Sequence, residues 1–266
     1  MMITLRVVVL GALLFPLYWM LVASFTTEAR LFAAPSLVPL AMSLEHYRAL
    51  FDARDFLVPI RNSVIVSGLT TFFVIPIAAL CAYALARMPF RGKRLLLALV
   101  LAVSMFPQIS IVAPLYLGLR AIGLLNTYPG LVLPYLTFSM PLAIWLLTGF
   151  FRHFPRELEE AAMLDGASRF RALREIVMPL AGPGLASTAI LTFLYCWNEF
   201  LFALSFTLGP ERYTVPVAIA FFRGRYQVPW GEVLAGALVA TIPVVILVLA
   251  FQRHIVAGLT AGSIKG

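Results

Sequence analysis

Six stretches of this chain stay apolar for about the width of a bilayer: residues 5–25, 62–85, 95–117, 131–151, 185–208 and 233–251. A helical run of ~20 mostly apolar residues spans a hydrocarbon core. No water is present there to satisfy backbone N–H and C=O groups, so each such run must close its own hydrogen bonds as a helix. The connections between six spans are too short for a separate aqueous domain. Residues 1–266 therefore read as a single transmembrane domain, an all-α polytopic membrane protein. Charged residues make up 12% of the chain, where soluble domains carry about 25%.

The first run is longer than the roughly 7–15 residues of a signal-peptide core and has only Arg6 as a basic flank, so it reads as a retained helix. Cys81 and Cys196 fall inside spans and imply neither a disulfide framework nor a metal site. The net charge of +8 raises nucleic acid as a partner, but its distribution follows membrane topology instead. The loop "ARMPFRGKR" carries Arg87, Arg91, Lys93 and Arg94 without an acid, whereas "RAIGLLNTYPG" has Arg120 alone. Positive loops stay inside, which places the first of these in the cytoplasm, the second outside, and both termini in the cytoplasm.

The spans contain Pro76, Pro107, Pro114, Pro134, Pro141 and Pro243, each a candidate kink. In the fifth span Thr188, Thr192, Tyr195 and Glu199 share one helical face. A carboxylate at mid-bilayer costs ~2.5–3.5 kcal/mol on insertion scales, so Glu199 must face protein or water. Tyr195, Trp197, Asn198 and Glu199 together offer the hydrogen-bonding groups and aromatic faces that sugars require. A structural role, with Asn198 and Glu199 bonding a neighbouring subunit, is the favoured reading of the last two.

The segment 152–184 is polar and lies between apolar runs. It reads as two short helices joined by Gly166. The first starts at Pro155, with Glu157, Glu159 and Glu160 near its positive end and Leu158, Ala161 and Ala162 on one narrow face. Gly166 after Asp165 is its C-terminal cap. The second runs from Ser168 as N-cap to Met178, with Phe170, Leu173 and Val177 as its apolar stripe, and Pro179 ends it. Physics alone leaves open whether this is a docking element or an amphipathic loop on the membrane surface.

Glu160-Ala161-Ala162, then Gly166, Ile176 and Pro179, resembles the EAA loop of ABC importer permeases, with Met178 where leucine is usual. "NSVIVSGLTTFFVIPIAALCAYALARMPFRGKR", "GLLNTYPGLVLPY", "WNEFLFAL" and "FQRHIVAGLTAGSIKG" are similar to the carbohydrate-uptake permeases of the maltose type, specifically the smaller, MalG-type subunit. That resemblance implies a six-span MetI-like fold in a prokaryotic plasma membrane. It implies that residues 157–165 are a coupling helix docking on a cytoplasmic ATPase subunit, with Glu157, Glu160, Ala161, Ala162, Asp165, Gly166 and Pro179 carrying the coupling. It also implies a second permease, two ATPase subunits that hold ATP and magnesium, and an external sugar-binding protein. Arg223, Gly224, Arg225 and Tyr226 would form a loop toward that binding protein, and the polar tail at 252–266 would reach the ATPases. "MFPQISIVAPLY" and "LAIWLLTGFFRHFP" lean toward the trehalose and maltose branch.

No phosphate-binding loop is present, since Gly92-Lys93 is followed by Arg94 and has no glycine at position 87. No nucleophile, acid–base pair or metal cluster stands out, so the chain reads as a transport subunit and not an enzyme. Permeases for amino acids, peptides or glycerol phosphate are the nearest alternatives. An ion-coupled secondary transporter would need paired acids across spans, and only Glu199 lies in one.

Overall fold

The structure is a computed structural model that describes residues 2–33, 38, 42–222 and 228–261. Among the described residues all regular structure is helical. Helix α1 is Met2–Ser24, followed by the short α2 (Glu28–Ala33) and α3 (Glu45–Arg48), the latter continued by a π turn at Ala49–Ala53. Then come α4 (Leu57–Arg87), α5 (Lys93–Ser104), α6 (Ile109–Ala121) and α7 (Tyr128–His153). The polar segment holds α8 (Glu157–Leu164) and α9 (Arg169–Ala172), which widens into a π turn at Leu173–Val177 and ends as α10 (Met178–Leu180). After it lie α11 (Gly182–Trp197), α12 (Leu201–Phe206), α13 (Val215–Ala220) and α14 (Trp230–Ala261).

Helices α1, α4, α7 and α14 are each long and apolar enough to cross a membrane. Two bent pairs bring the number to six: α5 with α6, at 87°, and the α9–α10 segment with α11, at 76°. The third expected span is therefore broken. Pro107 lies in the break; it has no N–H to continue the ladder and pushes the residue before it out of helical conformation. Pro76, Pro114, Pro134, Pro141 and Pro243 instead lie inside helices, where the ladder continues around them. The fifth span is also interrupted, with α11 ending at Trp197 and α12 beginning at Leu201.

The chain divides into two compact units, Met1–Asn62 with Tyr213–Val245, and Ser63–Arg212 with Ile246–Gly266. In the first, the Glu28 carboxylate accepts from the backbone N–H groups of Trp230 and Gly231 at 3.2 and 3.1 Å. An anion there suits the positive end of α14. Buried His46 places Nε2 2.8 Å from the Thr26 carbonyl, so that nitrogen carries a proton. Arg54 pairs with Glu232 at 2.9 Å and lies over the Phe222 ring.

In the second unit the core joins α4, α7 and the α9–α10 segment. Val74, Ala78, Ala82 and Ala86 of α4 pack with Ile144, Leu147 and Phe151 of α7 and with Leu173 and Val177. Alanine at one helical face lets the backbones close on each other, as in small-residue interfaces of membrane helices. The polar segment is thus anchored in the core by its second helix.

Candidate functional site

The polar segment folds around two caps. After α8, Gly166 takes a φ of +89°. Its N–H bonds the Met163 carbonyl at 3.1 Å, and the Ala167 N–H bonds the Ala162 carbonyl at 2.9 Å. That pair of bonds is a Schellman motif, which satisfies carbonyls at the helix end only when the residue at Gly166 is left-handed. Two residues on, the Ser168 hydroxyl accepts from the Arg171 N–H at 3.2 Å, as an N-cap. Gly166 and Ser168 therefore fix the angle between the helices, as their sequence spacing predicts.

Three details differ from expectation. Pro155 stands two residues ahead of α8, which starts at Glu157. Pro179 does not end the second helix at once, because the helix continues to Leu180 and bends after it. Phe170 is 65% exposed, while Ala172, Leu173 and Val177 are buried. The π turn rotates Val177 toward the Ala172 side of the axis, so the buried stripe moves away from Phe170.

On α8 the residues expected to carry docking stay uncovered. Glu157, Glu160, Ala161, Asp165 and Gly166 are exposed, Ala162 is half-buried, and Leu158 and Leu164 are 44% and 88% exposed. The buried residue is Glu159. Its Oε1 lies 2.9 Å from Arg87 Nε, and its Oε2 accepts from the Tyr83 hydroxyl at 2.9 Å. Arg87 Nη2 also donates to the Phe154 carbonyl at 2.8 Å. The Arg87–Glu159 contact is an ion pair by distance, with its N–H not aimed at the oxygen. The sequence reading spent Arg87 on topology alone. A signal was present: Tyr83 and Arg87 are one turn apart on one face of α4, able to share an acceptor.

The "WNEF" stretch is a helix break. Asn198 closes α11 and donates from Nδ2 to the Leu194 carbonyl at 2.8 Å. Glu199, buried, accepts from the N–H of Phe202 at 2.7 Å and of Ala203 at 3.1 Å. These are first-turn groups of α12 without helical partners, so the carboxylate caps that helix at its positive end. Within this chain Glu199 finds its partners in the backbone of α12, while Asn198 remains exposed beside it. Trp197 is buried and stacked on Phe193.

Of these four, Tyr195 lines a described cavity. The cavity, of about 320 Å³, is lined by Ser104, Gln108, Phe138, Ser139 and Thr192 among others. Gln108 Nε2 donates to the Tyr195 hydroxyl at 2.5 Å. The break at Pro107 thus delivers an amide to the wall formed by α11. Polar groups among aromatic and apolar surface in such a volume fit a small polar solute.

The "GLLNTYPG" turn is explained by backbone demands. Gly123 and Asn126 have positive φ, and Thr127 caps α7 by accepting from Gly130 N. Asn126 receives the Leu208 N–H at 2.9 Å and donates to Glu211 at 2.6 Å. That amide holds the Glu211 carboxyl below the usual range, so the tie is complete above the ordinary glutamate pKa and lost as pH falls through the lowered one. Arg223, Gly224, Arg225 and Tyr226, expected to form a partner-facing loop, lie outside the described residues, as does the end of the tail.

Residues 74–261 match the family of binding-protein-dependent transport system inner membrane components. The chain belongs to this family. The permease is 45% identical to the trehalose transport system permease protein SugB of Mycobacterium tuberculosis, over 97% of this chain and 94% of that one. It is equally 45% identical to the trehalose/maltose transport system permease protein MalG of Thermococcus litoralis, over 95% and 92%. The sulfoquinovosyl glycerol transport system permease protein SmoH of Agrobacterium fabrum matches at 42%, over 95% and 89%. In fold the permease is similar to a chain of a bacterial ABC transporter involved in the import of the acidic polysaccharide alginate, at a TM-score of 0.75 and 23% identity over 94% and 93%. The all-α, multi-pass membrane fold and the ABC importer permease family expected from the sequence are both established.

Proposed function

We propose that this permease is one of two membrane subunits of an ATP-driven importer for a disaccharide of the trehalose or maltose kind. Two cytoplasmic ATPase subunits bind ATP and magnesium, an external binding protein delivers the sugar, and both termini face the cytoplasm. The observation that carries the reading is α8: a helix closed by a Schellman cap, tied down through Glu159, with Leu158, Ala161 and Leu164 left uncovered. A membrane protein gains nothing from that face unless another subunit covers it. The cavity at Tyr195 and Gln108 supports a hydroxylated solute.

In this reading sugar hydroxyls exchange bonds with Gln108 and Tyr195 while Phe138 offers an apolar face. ATP-driven closure of the subunits below pulls α8 and switches access. With the complete transporter in proteoliposomes, labelled trehalose uptake should be competed by maltose and not by leucine or glycerol phosphate. Tyr195→Phe should raise the half-saturating concentration about fivefold, the equivalent of one hydrogen bond at ~1 kcal/mol. Preferential competition by the amino acid would overturn the sugar assignment.

A further inference from the structure

The ion pairs of the described residues differ sharply in burial. Arg171–Glu175 has side chains 65% and 59% exposed, and Arg54–Glu232 has 28% and 20%. Arg87–Glu159 has 4% and 10%. Burying such a pair is a poor route to stability, because apolar side chains of similar volume do as well or better. What this pair supplies is a link between elements. Here it joins two helices far apart in sequence, since Tyr83 and Glu159 are 76 residues apart.

The geometry of the link is specific. The Tyr83 hydroxyl donates to Glu159 Oε2, and the Arg87 guanidinium lies as an ion pair beside Oε1, so both oxygens of the carboxylate face α4. Arg87 at the same time holds the Phe154 carbonyl, at the end of α7. The backbone connects α8 to α7 and α9, and these side chains tie it to α4. Above them, Ala78, Ala79, Ala82 and Ala86 keep α4 close-packed in the core, so a displacement of its end is carried along it.

We propose that Tyr83 and Arg87 are positioning residues that make α4 follow α8, forming a joint through which movement of α8 reaches that membrane-spanning helix. The proposal rests on the reading above, in which ATPase subunits draw on α8. It adds which helix is pulled and by which groups.

The test uses the complete transporter in proteoliposomes, with trehalose as the probe and three readouts: retained ATPase subunits, ATP hydrolysed, and sugar taken up. Arg87→Met alone strands a buried carboxylate and endangers folding, so Arg87→Met is combined with Glu159→Leu. The joint predicts that this double variant assembles and continues to hydrolyse ATP, while uptake per ATP falls at least about fivefold. Tyr83→Phe, which keeps the ring and removes one bond, should lower uptake per ATP by about twofold. An unchanged uptake per ATP in the double variant overturns the proposal, as does a proportional fall of uptake and hydrolysis. If the double variant does not assemble, Tyr83→Phe decides by the same ratio. Failure of the underlying reading is visible separately: Leu164→Glu, on the uncovered face, should shed the ATPase subunits, and their full retention would remove the docking role of α8.

Discussion

Glu199→Leu should leave the permease poorly folded. Its carboxylate satisfies two buried N–H groups at the start of α12. Leaving each unsatisfied costs ~1–3 kcal/mol, so the pair is worth on the order of 2–6 kcal/mol. A folded protein holds only about 5–15 kcal/mol in total. Phe200, at the N-cap position between α11 and α12, is not helical, so no intrahelical carbonyl serves these groups in the native fold. Glu199→Gln keeps one acceptor oxygen and should lose about half as much. The check is the yield of monodisperse detergent-solubilised protein, with its unfolding temperature, for the three proteins side by side. Wild-type yield and temperature in the leucine variant would show that the cap is dispensable.

Gly166→Val should uncouple the transporter while sparing membrane insertion. The Schellman cap requires φ near +89°, which a β-branched residue adopts only under strain of about 1–3 kcal/mol. A Cβ at this position would touch nothing within 4 Å, so the penalty is confined to the backbone and packing is not the cause. The chain relieves it by opening the cap, which swings α8 relative to Ser168 and the helix it begins. Transport should fall at least about tenfold, the equivalent of ~1.4 kcal/mol. Gly166→Asn is the control, because asparagine enters the left-handed region locally. It should transport within about twofold of wild type. Equal loss in both variants would point to the side chain and away from the turn.

Much of this was legible in the sequence for physical reasons. Continuous apolar runs allow no structure but helix, so α1, α4, α7 and the start of α14 could be placed to within about five residues, whereas α14 runs on to Ala261, past the span end expected at 251, because the polar residues after it still continue the helical ladder. Gly166 and Ser168 announced their caps because the backbone chemistry at those positions is local. What lay beyond reach was non-local or depended on a break. Nothing near Glu159 in sequence marks Arg87 as its partner. Pro107 looks like Pro134 or Pro141 in sequence, yet only Pro107 of these lies in a sharp break. Glu199 is legible as costly in a span, but a span read as unbroken offers it no free N–H groups within its own chain. Once α11 stops at Trp197, free N–H groups lie three and four residues beyond Glu199.

In the proposed function, this permease converts movement driven by partner ATPases into solute uptake, with no driving force of its own. The direct measurement is trehalose uptake into two sets of proteoliposomes, one holding the permease alone and one holding it with the second permease, the ATPases and the binding protein. Uptake only in the complete set, requiring ATP and unaffected by collapse of ion gradients, is the predicted result. Uptake by the permease alone, driven by a proton or sodium gradient without ATP, would contradict it.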